Sequence, residues 1–310
     1  LEVSSHSLVQ RRVKGIAFKV VCFTNLSQDH LDYHKDMETY FKAKLSIIDI
    51  LNKDTKIIVN IDDEYGKIFF TEAINRGFKV ETIGCSDIAD VKLRVTQGTL
   101  GTQFIEIVRG DLVYKFQTHL IGEFQAANLG MALLTCETFG FKFDELVCFC
   151  DTLKPVPGRL EFVGKTKKGA LVYIDFAHTP DALKNLLKTL RGLTKGKLLL
   201  VFGAGGERDK DKRKSMGAIA YEYCDLIYVT DDNPRHEDSK SIRRQIINTC
   251  PNAIEIEDRA EAITTAIHVA RLDDIVIIAG KGHEKVQIVK DNYFPFSDFE
   301  QASIAIELME

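Results

Sequence analysis

Short apolar runs that alternate with helical stretches constrain the fold of this chain more than any other feature. In the second half, helical stretches separate apolar runs at residues 171–175, 197–202, 226–230, 253–257 and 274–278. Brief, nearly continuous apolar runs are typical of strands buried on both faces of a parallel sheet. The second half is therefore predicted to be a Rossmann-like, doubly wound α/β domain, which binds ligands at the carboxyl ends of its strands.

The first half shows the same alternation, followed by a change of pattern. The sequence predicts strands at residues 15–24, 56–60 and 79–83, and helices at residues 36–51, 63–76, 124–139 and 143–151. Between residues 91 and 118, short alternating segments separated by Gly98, Gly101 and Gly110 predict an antiparallel patch. The first half is therefore predicted to be an α/β domain with a parallel sheet and an antiparallel edge.

Chain length and proline positions predict where the domains divide. At roughly 150 residues per domain, 310 residues suggest two domains. Pro155 and Pro157 precede Gly158 in a segment typical of a boundary. We therefore expect domains at residues 1–153 and 154–310. Residues 2–6 are predicted to be the end of a strand that begins before Leu1. Together with the absence of an initiator methionine, this suggests an internal piece of a longer protein.

Composition and charge exclude several classes of protein. Lys and Arg number 41 against 45 Asp and Glu, and this net charge of -4 argues against a general nucleic-acid binder. The longest apolar runs are too short to span a bilayer, and no signal peptide precedes them. The seven scattered cysteines predict reduced, buried thiols. We therefore expect a cytoplasmic protein without a nucleic-acid or membrane partner.

Polar loops follow four predicted strands of the second half. They are residues 175–181, 203–210, 231–235 and 280–284. Taken singly, the glycine-rich loop fits a tight turn and the Asp231 loop fits a helix cap. Likewise, His178, Arg208 and Arg235 fit ordinary loop or surface side chains. Because the carboxyl ends of parallel strands meet at one edge of a sheet, the four loops together predict a binding site.

One polar loop of the first half is crowded with potential ligands. Residues 24–34 follow a predicted strand and include His30, and Glu2 and Lys44 are further candidates. Oxygen ligands with an occasional imidazole suit Mg²⁺ beside nucleotide phosphates. A polar loop with helix-capping groups explains the same residues without a metal.

Together these segments resemble the successive motifs of the Mur ligases. The similarity follows the chain in order through residues 2–6, 24–44, 158–159, 175–181, 232–235 and 280–284. In that family, ATP phosphorylates a carboxylate of a UDP-muramoyl peptide, an amine attacks the acyl phosphate, and the tetrahedral intermediate expels phosphate. The resemblance implies an ATP-dependent ligase of peptidoglycan synthesis. It implies the rear part of a central ATP-binding domain at residues 1–153 and a C-terminal amino-acid-binding domain at residues 154–310.

The resemblance also implies roles for individual residues. Glu2 and His30 would be Mg²⁺ ligands, and Lys44 a catalytic lysine that is carbamylated and holds a second Mg²⁺. The substrate UDP-N-acetylmuramoyl-L-alanyl-D-glutamate would contact Ser4, Gln10 and Arg12. ATP would lie near Asn128, Arg159 and Asp175, with its phosphates close to the catalytic His178. The added amino acid would be held by Arg208, Asp232, Asn233, Pro234, Arg235, Gly280 and Glu284.

Arg235 bears on which amino acid is added. Meso-diaminopimelate carries one carboxylate more than lysine, and a guanidinium can bind a carboxylate through two parallel hydrogen bonds. Glu284 would complement the neighbouring ammonium. Lysine-adding relatives resemble Asp-Asn-Pro-Ala at this loop, so Arg235 favours meso-diaminopimelate.

One motif of the family has no counterpart in the chain. The glycine-rich phosphate loop, G-[TS]-x-G-K-[TS], is absent, and residues 203–206 lack the following Lys-Ser/Thr pair. Since the backbone N–H groups and the lysine of such a loop hold phosphates, we expect little ligase activity from these residues alone. The alternatives are a lysine-adding or folylpolyglutamate-type ligase of the same superfamily, and a non-catalytic binding remnant.

Overall fold

The chain folds into two units, Leu1–Lys154 and Pro155–Glu310. The computed structural model describes residues 1–98 and 101–308. Each unit contains a six-stranded sheet with helices packed on it. Both units are thus α/β, which confirms the predicted fold class.

The sheet of the first unit is parallel on one side and antiparallel on the other. Its strands follow the order β1 to β6, with parallel pairs from β1 to β4 and antiparallel pairs from β4 to β6. The elements are α1 (Ser5–Val9), β1 (Val20–Phe23), α2 (Leu31–His34), α3 (Met37–Leu45), β2 (Lys56–Asn60), α4 (Glu64–Asn75), β3 (Val80–Gly84), β4 (Val91–Gln97), β5 (Gln103–Arg109), β6 (Leu112–Thr118), α5 (Glu123–Thr138) and α6 (Phe143–Val147). The predicted antiparallel patch is confirmed as the edge of this sheet.

Two predictions at the start of the first unit are wrong. Residues 2–6 do not end a strand, because Ser4 caps α1 by accepting a hydrogen bond from Ser7 N at 3.1 Å. Such local side-chain bonds offer the backbone an alternative to a strand ladder. The predicted ten-residue strand at residues 15–24 contracts to the four residues of β1. The predicted helix at residues 36–51 consists of α3 and a following 3-10 helix, Ser46–Ile50.

The sheet of the second unit has the strand order β11-β10-β9-β12-β8-β7. All its pairs are parallel except β7 with β8, and β13 and β14 form a separate hairpin. The elements are β7 (Glu161–Lys165), β8 (Leu171–Asp175), α7 (Pro180–Leu193), β9 (Leu198–Phe202), α8 (Asp211–Tyr223), β10 (Leu226–Val229), α9 (Ser239–Ile247), β11 (Ile254–Glu255), α10 (Arg259–Val269), β12 (Ile275–Ala279), β13 (Val286–Val289), β14 (Asn292–Pro295) and α11 (Asp298–Glu307). Every residue of the central strands β9 and β12 is buried, as their unbroken apolar sequences require.

All five strands predicted for the second unit are present, although β11 keeps only two residues of the predicted 253–257. The sequence did not predict β7, β13 or β14. The register of β7 shifts between Phe162 and Gly164, and every residue of β14 is exposed. Neither strand therefore shows the continuous burial that made the other strands recognisable.

The seven cysteines are free, but the prediction that they are buried holds only for some. Cys150, Cys224 and Cys250 are buried, whereas Cys22, Cys85 and Cys148 are exposed. Apolar neighbours in sequence do not guarantee burial at a sheet edge, where β1 carries Cys22. Among the helices of the described residues, none has both the length and the apolar character to cross a membrane.

Candidate functional site

The structure brings the four polar loops of the second unit to one edge of its sheet. They follow β8, β9, β10 and β12, which lie side by side and run parallel. Backbone bonds join the loops: Gly206 N donates to Asn233 O at 2.9 Å, and Gly280 N donates to Asp175 O at 3.0 Å. Residues more than 100 positions apart in sequence are therefore neighbours here.

Asn233 is at the centre of these contacts. Its Oδ1 accepts hydrogen bonds from Lys281 Nζ at 2.7 Å and from Ile288 N at 2.9 Å. Its Nδ2 donates to Glu284 Oε2 at 3.0 Å, and Lys281 Nζ lies 3.3 Å from the same oxygen. The carboxylate of Glu284 is thus fixed from two sides.

Asp232 stays ionised although it is buried. Burial by itself would raise the pKa of Asp232, but the charges of Lys281 and Arg259 hold that pKa below its usual value. Its Oδ1 lies 3.8 Å from Lys281 Nζ. Gly280, with a φ of +117°, passes close by, and a Cβ at that position would lie 2.8 Å from Asp232 Oδ2.

Arg235 has an unusual backbone conformation that the neighbouring hairpin supports. Its φ is +51°, a left-handed value that costs free energy for a residue with a side chain. The backbone is held on both sides of the residue: Arg235 N donates to Ile288 O at 3.1 Å, and Lys290 N donates to Arg235 O at 2.8 Å. The hairpin formed by β13 and β14, which the sequence did not predict, thus supports this loop.

The guanidinium of Arg235 lies against the glycine-rich loop. Its Nη1 donates to Gly206 O at 2.8 Å and to Asn233 O at 3.4 Å. A Cβ placed on Gly205 would lie 3.1 Å from that Nη1 and 3.9 Å from Arg208 Cγ. Arg235, half-buried, and Arg208, exposed, therefore lie on the same side of this loop. Pro234 is buried between Asn233 and Arg235.

Two buried arginines that the sequence did not single out hold the backbone of these loops in place. Arg213 of α8 bonds both oxygens of Glu237 and the carbonyl of Gly205. Arg259 of α10 pairs with Asp298 of α11 and donates to Ala279 O at 3.0 Å. Buried arginines are rare unless they are paired, and both of these hold backbone next to the site.

A second group of the predicted residues surrounds Phe176. Asp175 is buried and accepts hydrogen bonds from Leu160 N and Ala177 N, both at 2.7 Å; burial raises its pKa despite these bonds. The guanidinium of Arg159 lies 4.8 Å from the Phe176 ring centroid, and His178 Nδ1 lies 2.8 Å from Phe176 O. The structure therefore brings Arg159, Asp175 and His178 together.

The predicted residues of the first unit lie on different elements. Ser4 caps α1, Gln10 follows its end, and Glu2, Gln10 and Arg12 are exposed. Asn128 is exposed on α5.

Lys44 lies in the last turn of α3, half-buried, with its ammonium 5.7 Å from the ring centroid of Tyr40. Burial lowers the pKa of Lys44, and the negative charges of Glu2 and Asp29 partly oppose that effect. A lysine with a lowered pKa presents more of its neutral, nucleophilic form. Burial and Asp29 also raise the pKa of Tyr40 to about 12.

The candidate Mg²⁺ ligands have suitable donor atoms but do not form a preassembled site. His30, with a φ of +55°, has its Nε2 3.6 Å from Asp29 Oδ2. Within residues 1–98 and 101–308, no three His, Cys, Asp or Glu side chains come together as a metal site. The charges of Glu2 and Asp29 nevertheless both act on Lys44, so a carboxylate carried by Lys44 would join two others of the type that Mg²⁺ prefers.

His34 gives the first unit a pH-dependent stability. It is 3% exposed, its Nε2 lies 2.8 Å from Ser5 Oγ, and its ring stacks on Tyr40. Burial first, then the charges of His6 and His30, lower its pKa below 6.5. Unfolded His34 therefore takes up a proton near pH 6.5 and folded His34 only at lower pH, so stability is lost as the pH falls through this window.

We expect the substitution His34→Phe to make stability less dependent on pH. At pH 8 the variant should be about 1 kcal/mol less stable than the wild type, because the hydrogen bond with Ser5 is lost. The difference should shrink or reverse by pH 5.5. Urea unfolding at both pH values measures it, with the exposed His268→Phe as control. A difference that stays constant with pH would contradict the prediction.

Comparison with known proteins agrees with these observations. Two family models match the chain: the Mur ligase middle domain over residues 1–136 and the Mur ligase glutamate ligase domain over residues 158–282. The chain therefore belongs to the Mur ligase family.

Its relatives carry more specific names. The UDP-N-acetylmuramoyl-L-alanyl-D-glutamate--2,6-diaminopimelate ligase of Agrobacterium fabrum (strain C58) is 39% identical over 311 residues, which cover 100% of this chain and 63% of the relative. A solved structure of a ligase with that name is 33% identical, with a TM-score of 0.63, and the match covers 99% of this chain and 64% of that one. The chain thus spans less than two thirds of the length of these relatives.

A third protein is similar in fold alone. A Mycobacterium tuberculosis folylpolyglutamate synthase, solved in complex with ADP and AMPPCP, has a TM-score of 0.70 at 20% identity. The match covers 94% of this chain and 64% of that one.

Besides Arg213 and Arg259, sequence reasoning also missed Lys281. It lies within the quoted loop 280–284 but received no role. The available signal was a lysine between two glycines, two residues after the end of a buried strand and therefore inside a loop predicted to form the site.

Proposed function

We propose that a protein containing this chain ligates meso-2,6-diaminopimelate to UDP-N-acetylmuramoyl-L-alanyl-D-glutamate, with ATP forming an acyl phosphate on the acceptor carboxylate. The relatives named for this reaction support the proposal. The reaction uses ATP and a nucleotide-activated precursor, and it therefore belongs in the cytoplasm. It contributes to peptidoglycan synthesis.

The arrangement of opposite charges around Asn233 is the observation that carries the proposal. Arg235 contacts the backbone carbonyl of Asn233, and Glu284 accepts from its side-chain amide. A guanidinium and a carboxylate on two sides of one residue suit the far end of meso-diaminopimelate, where a carboxylate and an ammonium share one carbon. Lysine offers only the ammonium there. Asp232, Pro234, Gly280 and Arg208 complete the proposed amino-acid site.

The remaining residues are proposed to serve ATP and the UDP-linked substrate. Arg159, Asp175 and Asn128 would bind the nucleotide, with His178 beside its phosphates, and Ser4, Gln10 and Arg12 would bind the UDP-muramoyl peptide. Glu2, His30 and carbamylated Lys44 would hold Mg²⁺, which supplies positive charge where two anions must meet.

The lowered pKa of Lys44 supports its proposed modification. Carbamylation joins a neutral amine to carbon dioxide, and burial increases the neutral fraction of this amine. The product is an anionic, carboxylate-like group among the candidate Mg²⁺ ligands.

Phosphate release from ATP tests the proposed reaction. The assay contains UDP-N-acetylmuramoyl-L-alanyl-D-glutamate and either meso-diaminopimelate or lysine. It uses this chain and a chimera in which the N-terminal region of the Agrobacterium fabrum relative precedes Leu1. We expect release that depends on meso-diaminopimelate in the chimera. Release with neither amine would refute the proposal, and release with lysine alone would favour the lysine-adding alternative.

Substitution of Arg235 tests the specificity. Arg235→Ala in the chimera should reduce the preference for meso-diaminopimelate over lysine by roughly 10- to 100-fold, because a charge-assisted, bidentate bond of about 1.5–3 kcal/mol is lost. Arg235→Lys should restore little of it, since an ammonium lacks the planar fork. The exposed Arg244→Ala is the control. An unchanged preference in Arg235→Ala would show that the specificity lies elsewhere.

A further inference from the structure

Lys281 is fully buried at the centre of the proposed amino-acid site. Its ammonium lies 2.7 Å from Asn233 Oδ1, 3.3 Å from Glu284 Oε2 and 3.8 Å from Asp232 Oδ1. Its side chain is 0% exposed. A lysine is almost never buried this completely unless it is paired, and here all three partners belong to the site.

The contacts of Lys281 determine how Asn233 is oriented. An ammonium has three donors and no acceptor, so it must face the carboxamide oxygen and not the amide nitrogen. The backbone N–H of Ile288 selects the same oxygen. The Asn233 Nδ2 group therefore points to Glu284 and fixes its Oε2. Lys281 thus positions Glu284 both directly and through Asn233.

Lys281 also sets the charge of this cluster. The carboxylates of Asp232 and Glu284 with one ammonium sum to a single negative charge. Arg259, the other buried cation that acts on both carboxylates, is balanced by Asp298. His178 also acts on Asp232, and Arg235 faces the cluster across Asn233.

The net charge of the cluster determines which charge on a ligand it suits. One net negative charge is matched by one ammonium of an incoming amino acid. Without Lys281, buried Asp232 would lose a positive charge that lowers its pKa, and the carboxylate of Glu284, one-third exposed, would lose the same partner. The loss of a nearby opposite charge favours the protonated form of a buried carboxyl group.

We propose that Lys281 is a positioning residue for amino-acid binding, which orients Glu284 directly and through Asn233 and whose charge compensates the buried carboxylate of Asp232. This inference rests on the proposed function only for the identity of the ligand. The charge and orientation of the cluster are properties of the protein by itself, and they can be measured without any substrate.

The first experiment needs no ligand. Lys281→Met, which has a similar length but no charge, is compared with Lys281→Arg and with Lys285→Met, an exposed lysine of the same loop. Carbon-13 NMR of labelled Asp and Glu carboxyl groups follows their titration between pH 4 and 8. We expect one carboxyl of the second unit, that of Asp232, to titrate near pH 6 in Lys281→Met, about two or more pH units higher than in the wild type. Lys281→Arg and Lys285→Met should titrate like the wild type.

The second experiment measures binding of meso-diaminopimelate by calorimetry at pH 6 and pH 8. At pH 6, Lys281→Met should bind meso-diaminopimelate at least about tenfold more weakly than the wild type. At pH 8, where the added proton leaves the carboxyl group, the variant should recover part of that loss. Lys281→Arg should rescue binding in part, because it restores the charge but not the length.

The outcomes separate this inference from the proposed function. Unchanged carboxyl titration in Lys281→Met, with a folded protein by near-UV circular dichroism, would overturn the role of Lys281. An equal loss of affinity at both pH values would do so too, because it indicates a packing defect. If the wild type does not bind meso-diaminopimelate but Lys281→Met shifts the titration, the proposed function fails and the role of Lys281 in the charge of the cluster stands.

Discussion

Asp298→Ala is expected to lower the free energy of unfolding of the second unit by about 3–5 kcal/mol, because it removes the carboxylate that pairs directly with the buried guanidinium of Arg259. Both side chains are fully buried, with Arg259 Nε 2.7 Å from Asp298 Oδ1 and Nη2 2.8 Å from Oδ2. Guanidinium unfolding of the chain, followed by circular dichroism, measures the effect.

Two controls distinguish the buried charge from general disturbance. The exposed pair Lys42–Glu38 has the same chemistry at the surface, and Glu38→Ala should cost no more than about 0.5 kcal/mol. The double variant Arg259→Met with Asp298→Leu should be more stable than Asp298→Ala alone, since it removes both charges together. A double variant no more stable than the single one would show that packing, and not the unpaired charge, dominates the loss.

The pair also matters to the site. Arg259 Nη2 donates to Ala279 O, the residue before Gly280, and its charge helps to keep Asp232 ionised. We therefore expect Asp298→Ala to weaken binding of meso-diaminopimelate even below the denaturant concentration at which the unit unfolds. Calorimetric titration of the folded variant measures this second effect.

Gly206→Ala is expected to cost about 3 kcal/mol, at the upper end of what overpacking usually costs. A Cβ on Gly206 would lie 1.9 Å from Pro234 O and 2.7 Å from Pro234 C. These are backbone atoms, so no side-chain rotation relieves the overlap, and the loops at residues 203–206 and 232–235 must separate. That separation stretches the bonds from Gly206 N to Asn233 O and from Arg235 Nη1 to Gly206 O.

A glycine in open space provides the matched control. A Cβ on Gly192, in helix α7, meets no atom within 4 Å. Gly192→Ala should therefore stabilise the chain by up to about 1 kcal/mol, since alanine is the better helix former. Urea unfolding and meso-diaminopimelate binding are measured for both variants. Wild-type stability and binding in Gly206→Ala would show that the two loops can separate without cost.

Much of the fold could be predicted because its signals are local. The strands β2 and β8 match their predicted bounds, and the central strand β12 is displaced by one residue. Burial of a strand on both faces requires a short, continuous apolar run, which can be read from the sequence alone. The prediction failed at the capped helix α1 and at the hairpin of β13 and β14, where no continuous run of buried apolar residues marks the element.

The candidate site could be predicted only in outline. The sequence by itself determined that polar loops follow the strands of an α/β sheet, and the strand order then brings those loops to one edge. It did not determine which side chains meet. Asn233 and Lys281 are 48 positions apart, and Arg259 and Asp298 are 39 apart. Only the tertiary structure decided that the ammonium of the buried Lys281 bonds Asn233 Oδ1. The pairing of buried charges depends on which strands are neighbours, and no local period of the sequence determines it.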